Sequence, residues 1–191
     1  MKITAINGSP RKDGRISKIV DEMIKGAEEN GHECEMIYLV DLNIKDCTGC
    51  MACQEKGACV FQDDIEKLEE AIKRSDLIIW ASPTHWANVS GLMLRVFERL
   101  FGFLIKERPK GIPLKRNAKG KKAILVTACS TARPFNWIYN QSRSCISLMR
   151  EICEWSGQEI VGTFVLSGTL TIKDIPENYL KKAREIGRRI K

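Results

Sequence analysis

Ile3-Thr4-Ala5-Ile6-Asn7-Gly8-Ser9-Pro10-Arg11-Lys12-Asp13-Gly14-Arg15-Ile16-Ser17 decides the fold. The apolar run Ile3 to Ile6 stops at Asn-Gly-Ser-Pro, which marks a strand closing on a turn. Ile16, Ile19, Val20, Met23, Ile24 and Ala27 then recur at spacings of three and four, one apolar face of a helix that ends near Asn30-Gly31. A strand therefore leads through a polar glycine turn into a helix.

The same alternation continues outward from this unit. Cys34 to Leu39 reads as a strand, Ile65 to Ser75 as a helix and Leu77 to Ala81 as a strand. Met93, Val96, Phe97, Leu100, Phe101 and Leu104 mark a third helix, Ala123 to Val126 a fourth strand, and Cys145, Leu148, Met149 and Ile152 a fourth helix. Ile160 to Leu166 is the fifth strand and Tyr179 to Ile190 the last helix. Parallel strands need crossover connections, so this alternation predicts an α/β fold, a doubly wound parallel sheet covered by helices on both faces. The flavodoxin-like strand order 2-1-3-4-5 is the expected solution, with ligands beyond the carboxyl ends of strands 1, 3 and 4.

At 191 residues, 43% hydrophobic and 29% charged, the chain reads as one domain spanning 1–191. Two connections are long: 41–62, whose cysteine-rich part 42–62 is an insertion after strand 2, and 105–120. No apolar run reaches the ~18 residues of a membrane span, and the first residues lack a signal-peptide pattern, so a cytoplasmic protein without a membrane association is expected. The net charge of +7 is concentrated in Lys106, Arg108, Lys110, Lys115, Arg116, Lys119, Lys121 and Lys122. No nucleic-acid recognition motif accompanies that stretch, so nucleic acid is not the expected partner.

The turn after the first strand leads into a helix N-terminus, where backbone N–H groups and the helix dipole favour an anion. Ser9 and Ser17 add hydroxyls, Arg11 and Arg15 add charge, and Gly14 and Ile16 lie at the helix start. A phosphate monoester suits this loop, which is neither a Walker loop nor a dinucleotide fingerprint. A plain turn whose serine caps the helix is the alternative.

Cys47-x-x-Cys50-x-x-Cys53-x5-Cys59 gathers four of the eight cysteines. Structural zinc usually takes separated pairs of ligands, whereas successive x-x spacings suit a [4Fe–4S] cubane. Zinc or free thiols remain alternatives. Asp63-x-x-Glu66 ahead of an apolar helix reads as a capping box. Cys34, Cys145 and Cys153 read as small buried hydrophobes, while Cys129 falls at the mouth of the expected site.

After strand 3, Pro83, Thr84, His85, Trp86, Ala87 and Asn88 offer backbone donors and an aromatic wall for a flat heterocycle, and Cys129 and Ser130 offer small side chains for its other edge. The competing expectation is that Trp86 packs on a helix and His85 faces solvent. No residue is assigned a catalytic proton transfer.

Gly8-Ser9-Pro10-Arg11, the cysteine quartet followed by Asp63-Asp64, Ala81-Ser82-Pro83, and Arg95 with Arg99 on the third helix together resemble the iron–sulfur flavoproteins, a branch of the NADPH-dependent FMN reductase-like group. The resemblance implies FMN with its phosphate in the 9–17 loop and its ring beside 83–88. It also implies a [4Fe–4S] cluster on Cys47, Cys50, Cys53 and Cys59, and homodimers or homotetramers that bring one subunit's cluster near another's flavin. Electron transfer follows as the expected function, with NAD(P)H, ferredoxin or another one-electron carrier as partners; the basic stretch would suit an acidic ferredoxin. Many relatives carry Val-Tyr where this chain has Thr84-His85, and its connection 105–120 is longer than the group's. The alternatives are a cluster-free NAD(P)H-dependent FMN or quinone reductase and a non-catalytic flavin-binding module with a zinc knuckle.

Overall fold

A computed structural model describes residues 1–191, leaving aside the side chain of Trp137. In chain order the elements are β1 (Lys2–Asn7), α1 (Arg15–Glu29), β2 (Glu33–Tyr38), α2 (Ala52–Lys56), α3 (Ile65–Arg74), β3 (Leu77–Pro83), α4 (Gly91–Arg99) and α5 (Phe101–Leu104). There follow β4 (Ile105–Lys106), β5 (Leu114–Lys115), β6 (Lys122–Ala128), α6 (Phe135–Ile138), α7 (Gln141–Ser156), β7 (Glu159–Leu166) and α8 (Glu177–Arg188). The main sheet runs β2-β1-β3-β6-β7 with every pairing parallel, which is the expected order 2-1-3-4-5 when its own five strands are counted.

Period-two alternation along the strands divides the core into two layers. Ile78 and Trp80 of β3 and Ala123 and Leu125 of β6 face α3, α4 and α7. Ile79, Ala81, Ile124 and Val126 face α1 and α8. Gly26 and Gly187 let α1 and α8 cross at backbone contact: a β-carbon on Gly187 would fall on the Met23 carbonyl oxygen, and one on Gly26 on that of Arg184. Register places Asn7 beside Ala81 and Pro83 beside Ala128, so the loops leaving β1, β3 and β6 emerge together at one edge. No helix is long and apolar enough to cross a membrane among the described residues.

Two expectations need correction, and the basic connection adds an element that no periodicity marked. The third helix is not continuous over 93–104 but breaks at Leu100 into α4 and α5. The basic connection carries a small antiparallel ribbon, with Ile105 opposite Lys115 and Lys106 opposite Leu114. The capping box at Asp63 is absent: its Oδ1 accepts from the Ile65 N–H, but the carboxylate is buried against Arg99, 36 residues away. Satisfying a buried guanidinium outranks closing a helix end.

Candidate functional site

A cavity of about 540 Å³ opens where the loops after β1, β3, β6 and β7 converge. Ser9, Arg11, Gly14, Arg15, Ile16, Pro83, Thr84, His85 and Ser130 all line it, as the sequence leads one to expect. The loop after β1 is braced from beneath: Asn7 Nδ2 donates to Ser17 Oγ at 2.9 Å, and Ser17 Oγ donates to the Arg11 carbonyl at 3.2 Å. The Ser9 N–H donates to Asn7 Oδ1 at 2.9 Å, and Ser90 Oγ donates to the Gly8 carbonyl at 2.7 Å. Ser17 is thus fully buried and shapes the loop from below without lining the cavity.

Gly14 is the N-cap of α1 and provides no side-chain cap. Among the described residues nothing accepts from the N–H groups of Arg15, Ile16 and Ser17, so the start of α1 keeps its donors for an anion. A β-carbon at Gly14 would lie 3.0 Å from the Arg11 carbonyl oxygen, which is why the tight cradle has glycine there. Arg15 is engaged elsewhere: Nη2 donates to the Ile172 carbonyl at 2.7 Å and the Lys173 carbonyl at 3.3 Å, strapping the β7–α8 loop to α1. Of the two arginines in this loop, Arg11 is the one whose guanidinium makes no hydrogen bond or ion pair within the chain among the described residues. The sequence reading missed Thr169, Lys173 and Ile175, because the switch-point rule points to three strands and not to β7, and Lys18, which lies in the first turn of α1.

Thr84-His85-Trp86-Ala87-Asn88 forms a tight hairpin, with the His85 and Asn88 backbones exchanging hydrogen bonds at 2.8 and 2.9 Å. Trp86 and Ala87 both take the left-handed conformation, at φ 50° and 59°. That geometry favours Asn-Gly and costs other residues about 1 kcal/mol each. The turn sends Trp86 into solvent, fully exposed, so Trp86, Ala87 and Asn88 do not line the cavity. Cys129 does not either: it is buried, and burial pushes its thiol up.

Cys47, Cys50, Cys53 and Cys59 line one small pocket together with Phe61, Phe101 and Arg99. Gly49 and Met51 adopt positive φ, at 67° and 59°, and turn the chain between Cys47 and Cys53. Hydrogen-bond donors aim at sulfur: the Gly49 N–H lies 3.4 Å from Cys47 Sγ and Arg99 Nε 3.2 Å from Cys59 Sγ. The Ala52 N–H draws the Cys50 thiol below its ordinary value, whereas burial raises Cys53. Outside this loop, burial pushes Cys34 up to about 11 and Cys153 up to about 12, which keeps them as thiols. Among the described residues no three His, Cys, Asp or Glu side chains close up tightly enough for a single metal ion.

Distant residues hold this loop. Arg99 is fully buried, forks onto Asp63 at 2.8 and 3.1 Å, and donates to the Lys45 carbonyl at 2.7 Å. Arg116 donates to the carbonyls of Gly102 at 2.6 Å, Gln54 at 3.0 Å and Cys53 at 3.4 Å. Gly102 leaves room for the loop, since its β-carbon would stand 2.5 Å from that of Cys53. Arg116 and Lys121 of the basic stretch are committed to internal carbonyls and Lys122 to the backbone oxygen of Lys191, leaving Lys106, Arg108, Lys110, Lys115 and Lys119 exposed.

Residues 1–155 match the NADPH-dependent FMN reductase family, and the chain belongs to that family. An iron-sulfur flavoprotein of Archaeoglobus fulgidus is 38% identical over 111 residues, 58% of this chain and 50% of that protein. One of Clostridioides difficile is 35% identical over 131 residues, 65% and 58% of the respective chains. The chain thus spans about half the length of the curated relatives it matches. An NAD(P)H:quinone oxidoreductase from Methanothermobacter marburgensis shares the fold, with a TM-score of 0.83 at 18% identity, covering 99% of this chain and 98% of that one.

Proposed function

We propose that the chain is an FMN-dependent electron-transfer oxidoreductase of the iron–sulfur flavoprotein kind, with a [4Fe–4S] cluster on Cys47, Cys50, Cys53 and Cys59. The single observation that carries the reading is that all four thiols line one pocket into which N–H and guanidinium donors are directed. Iron–sulfur sites use such hydrogen bonds to stabilise thiolate charge. The successive x-x spacings of the quartet suit a cluster body better than the separated ligand pairs of a structural zinc site.

The residues of the larger cavity fit FMN. The uncapped start of α1 and Arg11 would take the phosphate, Ser9 and the buried Ser17 fix the loop, and Pro83, Thr84, His85 and Ser130 border the space for the ring. When bound, FMN supplies two-electron chemistry and the cluster one-electron chemistry, which connects a hydride donor such as NAD(P)H to a single-electron carrier. The chain's own residues orient, shield and hold charge. The exposed lysines of 106–119 would steer an acidic carrier of the ferredoxin type. Exposed Trp86, Tyr139 and Leu170 on loops, with Phe135 and Ile138 on α6, stand at the carboxyl edge of the sheet, a surface suited to a second copy in a homodimer or homotetramer.

Anaerobic preparation followed by metal, sulfide and flavin analysis tests the reading. About four irons, acid-labile sulfide and one FMN per chain are expected, and Cys50→Ser should abolish the iron. Yellow, iron-free protein that oxidises NAD(P)H would establish the cluster-free reductase instead. Zinc without turnover would leave only a binding module.

A further inference from the structure

A second cavity, of about 380 Å³, lies between α4, α5, the β4–β5 ribbon and α7, away from the phosphate loop. Phe97, Phe101, Leu148 and Ile152 wall it, and its volume and apolar lining are those of small-molecule sites. The outer end carries exposed Trp155, Glu107 and Glu151. Neither carboxylate is ion-paired among the described residues. No lysine or arginine lines the cavity, although it borders the most basic stretch of a chain of net charge +7.

The polar groups on offer are two acceptors and an indole N–H, so an occupant must donate hydrogen bonds, and an anion would be repelled. An apolar inner end with carboxylates only at the mouth suits a molecule whose ring is buried and whose hydroxyl reaches the rim. Phe101 is a wall of this cavity and of the cysteine pocket alike, so an occupant lies one side chain away from the quartet. We infer that this cavity is a binding site for a small neutral aromatic with hydroxyl donors, of the phenol or hydroquinone class, separate from the flavin cavity. The inference concerns binding alone and stands whether or not the cysteines hold a cluster.

Titration of the FMN-loaded full chain with 2-naphthol, followed by calorimetry and by quenching of Trp155 fluorescence against a Trp155→Phe control, tests it. Saturable binding with a Kd below about 1 mM is expected. Ile152→Trp, which fills the cavity, and the surface truncation Trp155→Ala should each weaken it at least about tenfold with FMN content unchanged. Joint Glu107→Gln and Glu151→Gln should weaken it less, and 2-naphthoate should not bind. Absence of saturation, indifference to both Ile152→Trp and Trp155→Ala, or preference for naphthylmethylammonium would overturn the assignment. So would dissociation of an oligomer by Trp155→Ala, because the face would then be covered by a second copy.

Discussion

The guanidinium of Arg99 spans two functions at once: Nε lies 3.2 Å from Cys59 Sγ while Nη1 and Nη2 fork onto the carboxylate of Asp63 at 2.8 and 3.1 Å. Both side chains are almost wholly buried. Burial works against the Asp63 carboxylate, but its hydrogen bonds from Arg99, Lys45 and Ile65 hold it below the ordinary value. The ion pair therefore fixes the edge of the cysteine pocket from the middle of the sheet's helical layer.

Asp63→Asn removes one charge of this pair and leaves Arg99 uncompensated. A loss of about 3–5 kcal/mol in urea unfolding is expected. Arg99→Met, which removes the other charge, should be comparably destabilising and should also lower iron retention; unchanged midpoints for both variants would show that the pair contributes nothing.

Gly102→Ala places a methyl group against the backbone and side chain of Cys53. Overpacking of this kind costs about 1–3 kcal/mol. Because the strain falls on the cysteine loop, iron per chain should fall by more than half while FMN content holds, as measured by metal and flavin analysis of the same sample.

Arg11→Ala deletes the free guanidinium at the phosphate loop. A charge-assisted hydrogen bond contributes about 1.5–3 kcal/mol, so FMN affinity should fall about ten- to a hundredfold in a fluorescence titration. Arg15→Ala, by contrast, acts on the strap to the β7–α8 loop and should increase proteolysis near Ile172 more than it weakens FMN.

Gly187→Ala forces apart α1 and α8 at the carbonyl of Met23. Thermal unfolding should show a loss of about 2 kcal/mol or more, well beyond the gain in helix propensity from alanine.

Glu29 accepts hydrogen bonds from Arg184 and from Arg188, the latter at 2.6 Å, and these lower its carboxyl from the usual 4.5 to about 2. A depressed folded value stabilises the fold above pH 4.5 and the stabilisation is lost as the pH falls toward 2. Glu29→Gln should flatten the acid limb of a melting-temperature profile in that window, and an unchanged limb would refute the linkage.

Much of this was legible in the sequence because it is local. Apolar periodicity marked the five strands of the main sheet, and the crossover rule then ordered them and brought the loops after Ile6, Ala81 and Val126 to one edge. What escaped depends on residues far apart in the chain. Arg99 and Asp63 meet across 36 positions, and each alone reads as surface charge or helix cap. Gly102 looks like a helix defect until Cys53 is set against it. Trp86 reads as a wall for a ring until two left-handed residues turn it outward.

Arg116 reaches back 63 positions to the Cys53 carbonyl, and Arg99 reaches back 40 to Cys59. The thiol-bearing segment is therefore synthesised before either clamp. Any inorganic cargo the segment takes up would thus be best delivered after the later strands have docked, as a finishing step in the biogenesis of this polypeptide.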